Sequence, residues 1–551
     1  MKKEQVELAI TGMTCEHCAA SIAKRFEGKP GIINEVISYP DGKGKFSYDP
    51  DVITKEAIIN TINGIGHYKV AGEINSPVNT FDSQTDFDLI IVGGGSAAFA
   101  AAIYANEQSL PTLIINAGLP IGGTCVNVGC VPSKFLIRAA ESIRHASHSP
   151  FAGVQPGKAT WDYGRIIQQK RELVNAMREE KYENILETLE FVKAVEGRAE
   201  FLDTKTVLVD GKQKYTGLKF IIATGATTFI PALPGLEQVN YLTNESIFEL
   251  DDLPESLTVL GGGYIALEIA QAYHRFGSKV RVIQRSERIL SSQPAEVSDE
   301  LARHLREEGI EIISGTSIQK VTQQEGKVQL FINVHGQNQV IESTHLLVAT
   351  GTKANTSNLG LDKIKVTLEK TGHIKVNSLL ETSVPNIYAI GDVTANPAFV
   401  YAAAYEGKLA VRNAFNGAQL NTEFSALPWV VFTDPQIAGV GLDEKEAEVL
   451  GIPYEVSRLP LSYVPRSIAA LDTRGFIKLV RNTETDRFIG ARIVAPEGGE
   501  LISQITLAMR CGMTVEEVAT TLYPYLTLSE GIKLAAIGFS KDIAKLSCCA
   551  S

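Results

Sequence analysis

The chain contains 551 residues, of which 44% are hydrophobic and 21% are charged, and its formal net charge at pH 7 is −11. These values are ordinary for globular proteins, and the length predicts about three or four domains of about 150 residues each. The acidic balance argues against a nucleic acid or an anionic membrane as partner, because clustered Lys and Arg bind phosphate groups.

The sequence predicts no secretion signal at its start and no apolar stretch long enough to span a membrane. No apolar core follows Lys2 and Lys3, and glycines interrupt the most apolar stretch, residues 89–105. We therefore expect a cytoplasmic protein, and in that reducing compartment paired cysteines are more often catalytic or metal-binding than structural. Six of the seven cysteines form close pairs: Cys15 with Cys18, Cys125 with Cys130, and Cys548 with Cys549.

Residues 1–71 predict a separate unit with the order β-α-β-β-α-β of ferredoxin-like folds. Cys15 and Cys18 stand where its first strand meets its first helix, and two thiolates at such a junction suit a soft metal ion. A thioredoxin-like redox pair is the alternative, which the order of the elements disfavours. Residues 72–86 are polar and turn-rich, and they predict a flexible linker.

A first dinucleotide fingerprint follows this linker. The apolar strand at 87–92 leads into Gly93-Gly94-Gly95-Ser96-Ala97-Ala98 and an alanine-rich helix. This is the G-x-G-x-x-A pattern, in which glycines let the backbone approach a pyrophosphate at the amino end of the helix. The next strand ends at Asn116 instead of the usual acid, and we expect its amide to hold ribose hydroxyls more weakly than a carboxylate does.

Two cysteines separated by four residues lie within the glycine-rich segment Gly122–Lys134. A helix is predicted from about Ser133, so Cys130 stands near its amino end, where the helix dipole lowers the pKa of a thiol. The surrounding dinucleotide pattern favours a redox-active pair over a fortuitous structural pair.

A second fingerprint, Gly261-Gly262-Gly263-Tyr264-Ile265-Ala266, again stands between an apolar strand and a helix. Two fingerprints imply two bound dinucleotides. The following strand ends in Gln284 and Arg285, and a cation there suits the 2′-phosphate of NADPH, with Arg281 or Arg288 in support. The alternative is that these arginines form a solvated charged face.

Across residues 87–551 the chain resembles the pyridine nucleotide-disulfide oxidoreductase family, on the segments Gly122–Lys134, Ala223–Ala226, Ala349–Gly351, Ile387–Asp392 and Val431–Pro435. The resemblance implies FAD at the first fingerprint and a nicotinamide dinucleotide at the second. The implied fold class is α/β, with two Rossmann-like dinucleotide-binding domains and an α+β dimerisation domain after the ferredoxin-like unit. The implied bounds are 87–235 and 347–423 for the FAD-binding domain, 236–346 for the NADPH-binding domain, and 424–551 for the dimerisation domain.

The resemblance also assigns roles at the implied site. Cys130 would be the thiolate against the flavin, and Cys125 would be the outer thiol that meets the substrate. Lys134 would pair with Glu268 near the flavin, and Asp392 would contact its ribityl chain. The other implied FAD contacts are Gly93, Gly95, Ser96, Ala97, Asn116, Gly123, Thr124, Lys134, Thr224 and Gly225. The implied NADPH contacts are Gly261, Gly263, Arg281 and Arg285.

One position departs from the family members that reduce organic disulfides. Those members carry a His five residues before a Glu near the carboxyl end, and this imidazole protonates the leaving thiolate. Here Tyr525 takes the place of that His before Glu530, and no histidine follows His373. We therefore expect a substrate that needs electrons and thiolates but no protonated leaving thiol, and a soft metal ion fits this requirement.

The segment Ile10–Cys18 resembles the metal-binding loop of heavy-metal-associated domains, and the vicinal pair Cys548-Cys549 suits the transfer of a thiophilic ion. Together with Tyr525, these features resemble the branch of the family that reduces Hg(II) to elemental mercury with NADPH, as a detoxification reaction. Tyr264 would then lie over the flavin and Tyr525 would face the inner metal site, although packing roles for both phenols are the alternative.

That branch implies a homodimer whose active sites are shared between subunits. The amino-terminal cysteines would capture Hg(II) from small thiols and pass it to the tail of one subunit, Cys548-Cys549. The tail would deliver the ion to the Cys125 and Cys130 pair of the other subunit.

Two other functions stay open. A lipoamide- or glutathione-type disulfide reductase would require another proton donor. A metal chaperone would bind Cu(I) or Zn(II) in the amino-terminal unit and keep a vestigial flavin core, although both fingerprints and the cysteine segment are intact. Cys511, the one unpaired cysteine, is expected to be a buried structural thiol.

Overall fold

The computed structural model describes residues 4–13, 16–26, 28–39, 42–66, 68–73 and 85–545. The chain divides into two compact units, Met1–Thr85 and Asp86–Ser551. Cys15, Cys548, Cys549 and most of the predicted linker at 72–86 lie outside the described residues. Within the described ranges, no helix combines the length and the apolar character needed to cross a membrane.

The first unit has the predicted β-α-β-β-α-β order, and its strands form an antiparallel sheet in the order β2-β3-β1-β4. Alternate residues of the first strand are buried, and Leu8 belongs to the same apolar core as Ile22 and Phe46. The elements are β1 Glu4–Thr11, α1 Glu16–Ala23, β2 Ile32–Ser38, β3 Lys43–Tyr48, α2 Lys55–Asn63 and β4 Lys69–Glu73.

The second unit begins with a Rossmann-like domain, whose sheet has the order β7-β6-β5-β10-β9-β8, with β21 beside β10. The parallel strands at its centre are buried on both faces, which explains the continuous apolar run Leu89–Val92. Its first part contains β5 Phe87–Val92, α3 Ser96–Glu107, β6 Thr112–Asn116, α4 Gly123–Asn127, α5 Cys130–Ser147, α6 Tyr163–Arg178, a π-helical turn Glu179–Glu183, α7 Asn184–Thr188, β7 Val192–Glu196, β8 Ala199–Asp203, β9 Thr206–Val209, β10 Gln213–Ile222 and β11 Ala226–Thr228.

A second Rossmann-like domain is inserted after β11, with a parallel sheet in the order β12-β19-β13-β14-β15 and an antiparallel sheet β16-β17-β18. Its helix α9 packs against α5 of the first domain, within one apolar core. The elements are a 3₁₀ turn Leu236–Gln238, β12 Tyr241–Leu242, α8 Asn244–Ile247, β13 Ser256–Leu260, α9 Tyr264–Phe276, β14 Lys279–Ile283, α10 Ala295–Glu308, β15 Glu311–Ile313, β16 Thr316–Gln324, β17 Lys327–Val334, β18 Gln337–Ser343 and β19 His345–Val348.

The chain then returns to the first domain and ends in a third domain. The return segment contains β20 Thr352–Ala354, β21 Ile387–Ala389, a 3₁₀ turn Gly391–Val393 and α11 Val400–Phe415. The third domain has an antiparallel sheet, β22-β23-β26-β25-β24, whose apolar face is covered by α14 and α16. Its elements are β22 Trp429–Val431, β23 Gln436–Gly441, α12 Glu444–Leu450, β24 Tyr454–Pro460, a 3₁₀ turn Leu461–Tyr463, α13 Pro465–Ala469, β25 Phe476–Asn482, β26 Phe488–Ala495, α14 Gly498–Arg510, α15 Val515–Thr520, α16 Glu530–Ile537 and a 3₁₀ turn Ile543–Lys545.

The predicted fold class is confirmed. Two parallel, helix-flanked sheets carry the two fingerprints, an α+β domain follows them, and a βαββαβ unit precedes them. In open α/β sheets ligands bind at the carboxyl ends of the strands, and both fingerprints lie at such an edge.

Candidate active site

The two fingerprints are built in the same way. The first glycine of each has a positive φ, +123° at Gly93 and +112° at Gly261. A Cβ at Gly93 would lie 2.2 Å from the Ala223 carbonyl oxygen, and a Cβ at Gly261 would lie 2.3 Å from that of Ala349. Each fingerprint therefore needs glycine so that it can pack on one of the Ala-Thr-Gly turns.

The amino ends of α3 and α9 fit bound phosphate groups. Their N-cap residues are Gly95 and Gly263, and neither helix has a side-chain cap from any residue that the structure describes. The first N–H groups of each helix are thus left for an anionic ligand. Gly95 lies beside the cysteine segment, since a Cβ on Gly123 would come within 2.7 Å of its Cα. This arrangement fits FAD at the first fingerprint.

The turn opposite the first fingerprint is held by an asparagine that the sequence analysis did not single out. The Thr224 hydroxyl donates to the Asn355 carbonyl oxygen at 2.7 Å, and Asn355 Nδ2 donates back to the Thr224 carbonyl oxygen at 3.0 Å. The Asn355 backbone N–H donates to the Gly225 carbonyl oxygen at 2.9 Å. Asn355 follows the second Ala-Thr-Gly turn, so it joins the two turns.

The second fingerprint opens into a cavity of about 620 Å³, which fits a nicotinamide dinucleotide. Among the predicted arginines, Arg285 lines this cavity and forms no ion pair with any described residue. Arg281 Nε instead binds Glu311 at 2.6 Å, and Arg288 Nε binds Asp299 at 2.9 Å. The cavity wall also includes Thr228, Gly261, Gly263, Tyr264, Gln284, Ser286 and Thr350.

The helix that carries the redox pair begins earlier than predicted. Helix α5 starts at Cys130, with Gly129 as N-cap, and not at Ser133. Pro132 is compatible with this start because it lies in the first turn, where a helix needs no backbone N–H donor. Cys125 lies in the preceding short helix α4.

Both cysteines of this pair are thiols, and Cys130 is the more exposed of the two. A hydrogen bond from Cys125 lowers the pKa of Cys130 to about 7, and the positive charge of Lys134 acts in the same direction. The same hydrogen bond and burial raise the pKa of Cys125. Near pH 7, therefore, about half of the Cys130 side chains are thiolates, whereas Cys125 stays a protonated thiol.

Lys134, one helical turn after Cys130, contacts a buried carboxylate. Its Nζ lies 2.8 Å from Glu268 Oε2, and Glu268 is 5% exposed. The second carboxylate oxygen, Oε1, accepts the backbone N–H of Phe432 at 2.9 Å, and Lys134 Nζ lies 4.4 Å from the centroid of the Phe432 ring. Glu268 thus binds both the cysteine helix and the third domain.

Asp392 lies in the 3₁₀ turn after β21, and burial raises the pKa of its carboxyl group. A residue absent from the sequence predictions holds this turn. The carboxylate of Glu406 accepts the Gly391 N–H at 2.5 Å and Asn396 Nδ2 at 2.7 Å, and burial raises the pKa of Glu406 to about 7. In the sequence, an acid among the apolar residues of α11 could have indicated that Glu406 is buried and structurally important.

Three tyrosines lie around the cysteine pair, and one of them was predicted. Tyr264 is the first residue of α9, and burial, together with the negative charges of Asp392, Glu268 and Cys130, raises the pKa of its hydroxyl. Tyr182, in the π-helical turn, shares a 3.3 Å hydroxyl–hydroxyl hydrogen bond with Ser96, and the Tyr401 hydroxyl donates to the Pro428 carbonyl oxygen. π-Helical turns often occur at functional sites, but nothing in the sequence pattern indicated this one.

The remaining predicted residues lie elsewhere. Tyr525 is 49% exposed and lies between α15 and α16. Cys18 is buried in the core of the first unit, and Met13 packs against that core. The expectation that Cys511 is buried is wrong, because this residue is exposed where α14 ends.

Comparison with known families agrees with this geometry. The model of the pyridine nucleotide-disulphide oxidoreductase family matches residues 87–407, and that of its dimerisation domain matches residues 427–536. The heavy-metal-associated domain model matches residues 7–67. The chain therefore belongs to the pyridine nucleotide-disulphide oxidoreductase family, with an amino-terminal heavy-metal-associated domain.

Comparison with individual relatives narrows the assignment within this family. The chain is 41% identical to the mercuric reductase of Staphylococcus aureus over 552 residues, covering 100% of both chains. It is 41% identical to the mercuric reductase of Lysinibacillus sphaericus, covering 98% of both. Among solved structures, the Cu(II) complex of the HOCl-induced flavoprotein disulfide reductase RclA from Escherichia coli matches with a TM-score of 0.74 and 27% identity, covering 83% of this chain and 99% of that one. The predicted resemblance to the Hg(II)-reducing branch is confirmed.

The low pKa of Cys130 depends on the charge of Lys134. In the Lys134→Met variant we expect the pH midpoint for alkylation of Cys130 in the reduced protein to rise from about 7 toward the value of about 8.5 of an ordinary thiol. The measurement is the rate of iodoacetamide labelling against pH, read by peptide mass spectrometry.

Arg138→Met is the matched control, because Arg138 lies on the same helix and pairs with Glu141. The Lys134→Met/Glu268→Gln double variant removes both charges together and serves where the single variant folds poorly. An unchanged midpoint in both Lys134 variants would contradict the assignment.

Proposed function

We infer that the protein is an NADPH-dependent flavoenzyme that reduces thiol-bound Hg(II) to elemental mercury, and that this reaction detoxifies mercury. The observation that carries the inference is the Cys125 and Cys130 pair, a dithiol in which Cys130 is partly ionised near pH 7 and Cys125 stays protonated. The pair stands beside the first of two dinucleotide sites, in a chain that aligns over its full length with mercuric reductases.

The different pKa values of the two thiols give them different tasks. Cys125, the outer thiol, replaces one external ligand of Hg(II), and its proton leaves with the departing thiol. The Cys130 thiolate then displaces the second external thiolate, since thiolates are the preferred ligands of soft ions. Both mercury–thiolate bonds of the incoming complex are thereby exchanged for bonds to the protein.

The first fingerprint, with Gly93, Gly95 and Ser96, would hold FAD, whose chemistry would be the transfer of two electrons from NADPH to the mercury ion. The protein residues keep the reacting groups in place: Lys134 and Glu268 fix the cysteine helix, and Glu406 fixes the turn of Asp392. Reduction to neutral mercury breaks both bonds to sulfur and leaves two thiolates, so no protonated leaving thiol is needed. Tyr525, in the place where a disulfide reductase has histidine, fits this outcome.

The delivery route uses the cysteines outside the core site. We assign Hg(II) capture from small thiols to Cys15 and Cys18, and transfer to the tail cysteines Cys548 and Cys549. The dimerisation domain indicates a homodimer, and we propose that the tail of one subunit serves the cysteine pair of the other. We propose a cytoplasmic location, where NADPH is the available reductant.

The function is tested by anaerobic NADPH oxidation with Hg(II) supplied as a complex with excess small thiol, while volatile mercury is trapped from the headspace. We expect one trapped mercury atom for each NADPH consumed, because both transfers involve two electrons. NADPH loss that requires an added organic disulfide would identify a disulfide reductase instead. No oxidation with either substrate would favour a metal-binding protein.

Arg285 is the proposed contact for the 2′-phosphate of NADPH. Replacing a charge-assisted hydrogen bond costs a factor of about 10 or more in binding, so we expect Arg285→Ala to raise the KM for NADPH by that factor and to leave the KM for NADH nearly unchanged. Arg288→Ala is the control, because Arg288 pairs with Asp299. Equal losses for NADPH and NADH would refute the 2′-phosphate contact.

Sharing of the site between subunits is tested with mixed dimers. One subunit carries Cys125→Ala and an intact tail, and its partner carries Cys548→Ser and Cys549→Ser with an intact redox pair. If the tail acts across the interface, one complete site remains, and mercury reduction should reach about half of the wild-type rate at limiting Hg(II). Activity no higher than that of the parent homodimers would show that each tail serves its own chain; Cys511→Ser controls for loss of a surface thiol.

A further inference from the structure

The acid that is missing at the end of β6 has a replacement on the neighbouring strand. Strands β6 and β7 pair in parallel, and their register places Asn116 opposite Glu196. Asn116 Nδ2 donates to Glu196 Oε1 at 3.0 Å, with Oε2 at 3.3 Å, and also donates to the Leu119 carbonyl oxygen at 3.0 Å. A carboxylate therefore lies beside the position where the fingerprint ordinarily supplies one.

This pair lies at the carboxyl end of β6, where the fingerprint ordinarily places the acid that binds the adenosine ribose. Asn116 is 4% exposed, and its Oδ1 lies where a Cβ on Gly94 would approach within 2.3 Å. The amide thus lies against the loop that carries the glycines of the fingerprint. Glu196 is exposed at the same edge of the sheet and forms no ion pair with any residue in the described part of the chain.

The hydrogen-bonding capacity of Asn116 explains why a second residue is needed. Its amide nitrogen carries two hydrogens, and Leu119 and Glu196 accept them, so only the amide oxygen remains as an acceptor. A ribose diol offers two hydroxyl donors, which one carboxylate ordinarily accepts. Asn116 can accept one of them, and the other lacks a partner on β6.

We propose that Glu196 accepts a hydroxyl of the adenosine ribose of FAD, with Asn116 as the second acceptor and as the residue that positions the Glu196 carboxylate. The proposal rests on FAD at the first fingerprint, as the proposed function does. The negative charge that the usual acid provides then lies on the next strand, β7. The ribose hydroxyl keeps a charge-assisted hydrogen bond, which is stronger than a neutral one.

The first experiment measures FAD retention by the holoenzyme. Full-length protein is diluted stepwise, and released FAD is followed by its fluorescence. We expect Glu196→Gln to raise the FAD dissociation constant by about 10-fold or more, the effect of losing a hydrogen bond to a charged group. Glu190→Gln is the matched control, because Glu190 is an exposed carboxylate near the opposite end of β7. Thermal unfolding of both variants checks that the fold is intact.

The second experiment locates the contact on the ribose. The adenosine 2′-deoxy and 3′-deoxy analogues of FAD are exchanged into the wild type and into Glu196→Gln. The wild type should prefer FAD over at least one analogue by about 10-fold, and Glu196→Gln should lose that preference. An Asn116→Glu/Glu196→Gln variant, which restores the usual acid, should recover tight FAD binding.

The outcomes separate the proposals. An unchanged dissociation constant in Glu196→Gln, or an equal loss for FAD and both analogues, would overturn the ribose contact and leave the flavoenzyme assignment intact. A wild-type protein that binds no FAD would overturn both.

Discussion

The arrangement of the active site depends on one buried carboxylate, Glu268. A charge this deeply buried must be paired and hydrogen-bonded, or its desolvation would not be offset. Lys134 provides the charge and the Phe432 backbone provides an N–H, and the three residues come from three different domains. Satisfying Glu268 therefore fixes the cysteine helix, the second dinucleotide domain and the third domain relative to one another.

The same charge has a chemical consequence for the thiols. Lys134 is paired with Glu268, yet its ammonium still lies close enough to Cys130 to help lower the pKa of that thiol, while the carboxylate opposes this effect. The hydrogen bond from Cys125 is the larger cause, and it separates the two thiols into a thiolate and a proton carrier. A soft ion that exchanges ligands by thiolate attack can use this pair without an imidazole, in keeping with a chain whose last histidine is His373.

At the first dinucleotide site, the carboxylate for the ribose can come from either of two neighbouring strands. Parallel pairing places the ends of β6 and β7 side by side. Glu196 can therefore supply the carboxylate that is missing at position 116, with little change in its location. At the second site the arginines behave differently: Arg281 and Arg288 are held by acids, and Arg285 remains at the cavity. In both cases the partners of a side chain decide what it can bind.

The amino-acid sequence was enough to predict the fold class, both fingerprints and the cysteine segment, because each is a local pattern: a strand, a glycine turn and a helix, or two thiols at fixed spacing. It also indicated a soft metal substrate through the absence of histidine near the carboxyl end. The folded structure was needed to show that α5 begins at Cys130, that Glu406 holds the Asp392 turn, that Glu196 lies beside Asn116 and that Cys511 is exposed. Apart from the start of α5, these features depend on how segments distant in the sequence pack together. The spacing of residues along the chain does not predict that packing.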